Sequence, residues 1–133
     1  MKVGLIINSP SYDRVSYGLT IAGMYAALGK EVHVIFTYGA IERLIKGRTD
    51  LLGDETDAWI RETVRAGLKK GSVERLSDRL KSLKKLGGRL YACISAMATH
   101  SITKDDLIDE VDKVMGIAAF LELVGDSPIL LYV

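Results

Sequence analysis

At 133 residues and a formal net charge of +1, the chain has the length for one domain around one core, and no bulk charge draws it to nucleic acid or an anionic membrane. Hydrophobic residues make up 48% and charged residues 26%, the balance of a soluble globular protein, and a single cysteine excludes an internal disulfide framework. The apolar run at residues 1–7 is too short for a signal peptide, and no stretch approaches the roughly 20 apolar residues that span a bilayer. The expectation is a cytoplasmic protein with neither a nucleic-acid nor a membrane partner. The chain has no Gln and one Asn, Asn8, amid many ionic residues, a composition that suits a thermophile.

In chain order, Lys2–Ile7 and Glu31–Phe36 are nearly continuous apolar runs rich in β-branched residues, as in strands covered on both faces. Between them, residues 13–28 read as a helix that Asp13 can cap and Gly29 stops. Gly18, Ala22 and Ala26 form a small-residue stripe that lets this helix lie close on a sheet. Strand, helix, strand within about 35 residues is a βαβ unit, which makes the sheet parallel and the crossover right-handed. Residues 41–46 read as a short helix and 47–53 as a loop, with Asp54 or Thr56 capping a helix that runs to Lys70. Val73, Leu76, Leu80, Leu83 and Leu86 recur at helical steps. Arg89–Cys93 reads as a strand followed by a short helix to His100, and Thr103 with Asp106 has the spacing of a capping box. Residues 113–124 read as a last helix, and 128–133 as a last strand. The fold class is therefore α/β: a single three-layer domain over residues 1–133, with a mainly parallel sheet of about five strands and helices on both faces.

In open parallel sheets, sites form outside the carboxyl ends of the strands. Those ends carry Asn8 to Asp13, then Thr37-Tyr38-Gly39, then Cys93-Ile94-Ser95. A thiol at Cys93 faces the amides of a helix N-terminus, a setting that favours the thiolate. Free cysteine is also among the most buried residue types and often only packs, so local sequence leaves both roles open. His100 lies two helical turns from Cys93, too far for a direct pair within one helix, and is a surface residue or a pocket-mouth residue. His33, inside a strand, reads as a satisfied core histidine. Two histidines and one cysteine without tight spacing give no zinc signature, so no metal and no cofactor is expected. No G-x-G-x-x-G, Walker or G-x-S-x-G pattern is present. Residues 69–89 hold eight basic side chains interleaved with apolar ones, either the solvated face of an amphipathic helix or a docking surface for an acidic partner. Trp59 fits a core position or a subunit interface.

Taken in order, several segments resemble the DsrE/DsrF-like family. They are the Val-Gly-Leu-Ile-Ile opening strand, the Ser-x-x-x-Asp-Arg loop from Ser9 to Arg14, and the run from Leu28 to Thr37. Tyr91-Ala92-Cys93-Ile94-Ser95-Ala96-Met97, the stretch from Ile102 to Asp109 and Gly116 to Leu123 complete the set. The region around 47–70 matches least. The resemblance implies a small α/β fold that assembles into homo-oligomers, commonly trimers or hexamers. It also implies a sulfur-relay role in which the family's sulfur-carrying cysteine maps onto Cys93. Where the relay members carry basic residues and Gly just after the cysteine, this chain has Ala98, Thr99, His100 and Ser101.

The expected activity is a sulfur carrier or sulfurtransferase that holds sulfane sulfur as a persulfide on Cys93 and passes it to an acceptor protein or small thiol. Ser9, Asp13, Ser95, Met97 and His100 are expected to support the pocket, with nearby basic groups attracting an anionic donor such as thiosulfate. The alternatives are a non-catalytic oligomeric binding module in which Cys93 only packs, and a binder of a small anion or nucleotide at the strand-end cleft.

Overall fold

The computed structural model describes residues 1–126 and 133 in full and the backbone of 129–132. Five strands, β1 (Lys2–Ile7), β2 (Glu31–Phe36), β3 (Arg89–Cys93), β4 (Lys113–Met115) and β5 (Ile129–Tyr132), form one sheet. Their order is β4-β3-β2-β1-β5, with every neighbouring pair parallel. The helices are α1 (Tyr12–Ala27), α2 (Ala58–Lys70), α3 (Leu76–Lys85), α4 (Ile94–Thr99) and α5 (Ile117–Val124), with 3₁₀ turns at Tyr38–Leu44 and Lys104–Asp106. Among the described residues no helix is long and apolar enough to cross a membrane. Residue 128, where the last strand was expected to begin, lies outside the described residues.

Strand alternation sorts the two faces. Val3, Leu5 and Ile7 turn toward α1, whose Gly18 is so close that a Cβ there would stand 3.0 Å from Ile7 Cδ1. The stripe Gly18, Ala22 and Ala26 is buried, as its spacing predicts. Burying Leu76, Leu80 and Leu83 of α3 contributes about 1.5–3 kcal/mol each. The opposite face carries the residues of the other parity. There Lys2 Nζ donates to Leu123 O of α5 at 3.0 Å. Tyr91 packs edge-on against the buried Phe120 of α5 (ring centroids 6.0 Å apart) and stacks on His33. Cys93 shares the parity of Tyr91 and so emerges on the α5 face, at the carboxyl end of the sheet.

Several expectations need correction. Residues 113–124 are not one helix: Lys113–Met115 pairs with β3, and α5 begins only after Gly116. The short helix after β2 is a 3₁₀ turn that starts earlier, at Tyr38. Ser11, not Asp13, occupies the N-cap position of α1; Asp13, in the first turn, instead accepts a hydrogen bond from Ser11 Oγ. Neither Asp54 nor Thr56 caps α2, whose N-cap position is Asp57. Thr56 is fully buried and its Oγ1 accepts from Tyr12 N at 2.9 Å, so it serves the first turn of α1. Gly29, at φ 82°, ends the α1 connection in the left-handed conformation that glycine adopts without strain. The Thr103–Asp106 capping box is present, on the second 3₁₀ turn.

His33 is the satisfied core histidine the sequence implies. Its Nδ1 lies 2.7 Å from Tyr91 Oη and its Nε2 lies 2.6 Å from Glu31 Oε2. The hydrogen bond from His33 holds the Glu31 carboxyl below its ordinary pKa.

Candidate functional site

Three strand ends and two helix starts converge on one cleft of about 350 Å³, within the range of about 300–1,000 Å³ typical of small-ligand sites. Ile6 and Asn8 come from the end of β1, Thr37 and Tyr38 from the turn after β2, and Cys93 closes β3. Ser95, Ala96 and Thr99 belong to α4, and Ile117 opens α5. The position follows from topology, since parallel strands deliver their carboxyl ends, and the loops after them, to one edge.

Cys93 is the N-cap residue of α4 and lies opposite Met115 in the β3–β4 register. It lines the cleft with only 3% of its surface exposed. Tyr38 stands at the rim, 70% exposed, with φ 45°, a left-handed conformation that costs a non-glycine residue on the order of 1–3 kcal/mol. Its neighbour Gly39 lies so near Pro10 that a Cβ would fall 2.9 Å from the Pro10 ring. The turns after β1 and β2 are therefore pressed together at the cleft. Ile94, 57% exposed, opens α4 beside Gly116.

Of the residues expected to support the pocket, the cleft brings Ser95 together with Cys93. Ser9 lies outside it, its Oγ accepting from Ser11 N at 3.2 Å. Asp13 is bound to Ser11 and lines a separate groove with Tyr12 and Arg79. Met97 is buried in the core, and His100 turns to Glu42, 3.4 Å from Nδ1. Ile117 went unread because its segment looks like helix interior, and Thr99 because nothing in the sequence places it on the cleft wall. Among the described residues no group of three or more His, Cys, Asp or Glu is placed to hold a metal ion.

The sequence also gave no sign of Arg43, which is 2% exposed. Its Nε donates to Pro10 O at 2.9 Å, and Nη1 donates to Thr49 O at 3.2 Å and to Leu51 O. Nη2 stands 3.2 Å from Glu55 Oε2, and the guanidinium lies 5.3 Å from the centre of the Tyr12 ring. Burial pulls its pKa below the usual arginine value, and the Glu55 charge opposes that. Arg43 ties the loop after β1 to the 47–55 segment and so braces one side of the strand-end edge.

Four of the eight basic side chains of residues 69–89 are held in ion pairs. Arg75 pairs with Asp78 at 3.1 Å, Arg79 with Glu74 at 3.5 Å, and Lys84 and Arg89 both meet Asp112. Arg89 starts β3, so the full strand, about 13 Å at 3.3 Å per residue, separates it from Cys93.

A parallel sheet with helices on both faces and a thiol at the cleft on its carboxyl edge defines the class: a small α/β protein with a strand-end cysteine. The family model for the DsrE/DsrF-like family matches residues 1–132, and the chain belongs to that family. The family is associated in general with sulfur relay. The fold is shared with the ychN protein of E. coli, at 13% identity and a TM-score of 0.72 over 100% of both chains. It is also shared with a protein of unknown function from Methanobacterium thermoautotrophicum, at 14% identity and a TM-score of 0.62, covering 99% of this chain and 98% of that one. No curated protein matches the sequence significantly.

Proposed function

We propose that this protein carries sulfane sulfur as a persulfide on Cys93 and passes it to an acceptor thiol. The observation that carries the reading is that the one cysteine of the chain lines the strand-end cleft, in a family associated with sulfur relay. In the loading step the Cys93 thiolate attacks the outer sulfur of a donor. A new S–S bond forms, the donor's S–S bond breaks, and the electron pair leaves with the donor's remaining part. In the unloading step an acceptor thiolate attacks that same outer sulfur and Cys93 leaves as thiolate. Neither step needs an external oxidant, and the persulfide is a reversible cap, so one cysteine suffices. Assembly into homo-oligomers, as trimers or hexamers, belongs to the same proposal; the exposure of Trp59 (78%) and Tyr38 supports it, because large aromatic side chains are enriched at interfaces.

The test is single-turnover transfer from sulfur-loaded protein to a small acceptor thiol. Wild type is expected to deliver about one sulfur per chain, and Cys93→Ser none; full transfer by Cys93→Ser ends the proposal. The 3% exposure of Cys93 favours a second reading, a binding module in which the thiol only packs. A thiol that resists alkylation until the protein unfolds would support that reading instead.

A further inference from the structure

Resting on that reading of Cys93, we infer that the cleft selects a sulfur donor with an uncharged body, an organic hydropersulfide R–S–SH, over an oxyanion such as thiosulfate. The chemistry of the lining carries this. Ile6, Ala96 and Ile117 supply aliphatic surface, Thr37, Ser95 and Thr99 supply neutral hydroxyls, and none of the described side chains on the cleft wall bears a formal charge. The Thr99 hydroxyl is already donated to Ser95 O at 3.0 Å. The exposed ring of Tyr38 stands at the rim.

The groups that would greet an anion lie elsewhere. His100, seven residues after Cys93, is turned to Glu42. Lys84 and Arg89 are held by Asp112, and Arg89 opens the strand that Cys93 closes. Bringing an oxyanion into such a cleft strips its water without offering a cation, and an uncompensated charge is the costliest group to desolvate. An apolar body gains from the same wall. In the reaction the Cys93 thiolate attacks the terminal sulfur of R–S–SH, the donor's S–S bond breaks, and R–S⁻ departs with the electron pair and takes up the proton that the terminal sulfur carried. The expected anionic donor is thus replaced by a neutral-bodied one.

The experiment compares two donors with the same reacting group, the hydropersulfides of N-acetylcysteine and of its methyl ester, which differ by one carboxylate. Loading of Cys93 is followed by intact mass, with each rate divided by that for a free small thiol. The inference expects the ester to load at least about tenfold faster, equivalent to about 1.4 kcal/mol. It also expects Thr99→Lys, an exposed helical position on the cleft wall, to bring the two rates toward each other by supplying the missing cation. Equal rates in wild type overturn this inference and leave the persulfide proposal standing. No loading from either donor overturns both.

Discussion

At the scale of single residues, two buried side chains do work that their sequence neighbourhoods do not announce. Arg43 sits in a run, Ile41 to Lys46, that reads as an ordinary amphipathic turn. Only the folded chain brings the carbonyls of Pro10, Thr49 and Leu51 and the carboxylate of Glu55 around it. Removing one partner from a buried ionic and hydrogen-bonded cluster leaves the others unsatisfied. Arg43→Ala should therefore lower the unfolding free energy by about 3 kcal/mol, read from denaturant titration; a change below about 0.5 kcal/mol, the range of ordinary surface substitutions, would contradict the bracing role. Tyr12 is the second case. Its phenol accepts from Leu76 N and donates to Glu74 O, each at 3.2 Å, so a residue of α1 completes the start of α3. Cys93, by contrast, was legible at once, because a lone thiol at the end of an apolar strand is visible in the string of residues.

At the scale of elements, the sequence was most informative where a pattern has a period and least where an element is short. The strands at 2–7, 31–36 and 89–93 and the helices α1 and α3 stand close to where periodicity and apolar runs put them. β4 escaped because three residues, Lys-Val-Met, carry no alternation and run into the apolar segment of α5. It is an edge strand fixed by its partner, with Asp112 N donating to Leu90 O and Asp112 Oδ2 accepting from Leu90 N, both at 2.8 Å. Helix starts were misread for a related reason, because the groups that satisfy them come from distant segments. Thr56 serves α1, and Asp50 accepts from Ser77 N of α3 at 2.9 Å. The two loops at the cleft meet through Gly39 and Pro10. Gly39→Ala should destabilise by about 1–3 kcal/mol, because the added methyl meets a ring that cannot rotate away. An unchanged denaturation midpoint would show that these loops are not in contact.

At the scale of the whole molecule, the two buried tyrosines set an alkaline limit. Burial raises the pKa of both Tyr12 and Tyr91 above 10.0. The folded state thus favours the neutral phenol. The stability linked to it is fully present below about pH 10 and is lost as pH rises through the folded-state values. The acid side has the opposite sign. The lowered pKa values of Glu31 and Asp106 give stability that is present above the ordinary carboxylate range and is lost as pH falls through their folded-state values. Denaturation followed between about pH 9 and about pH 11 should show the decline; a flat profile there would contradict the burial of these phenols.

The α/β class, the parallel sheet and the family were all readable from the sequence. The wall chemistry of the cleft was not, because it is assembled from four separate segments whose juxtaposition only the sheet order creates.

The most direct test of the central claim is the intact mass of reduced protein after incubation with an inorganic polysulfide, beside Cys93→Ser. The account predicts a gain of about 32 Da per sulfur on the wild type, removed by a reductant and absent from the variant. A wild-type mass that does not change, with a thiol that becomes reactive only on unfolding, would contradict it and leave Cys93 as a residue of the core.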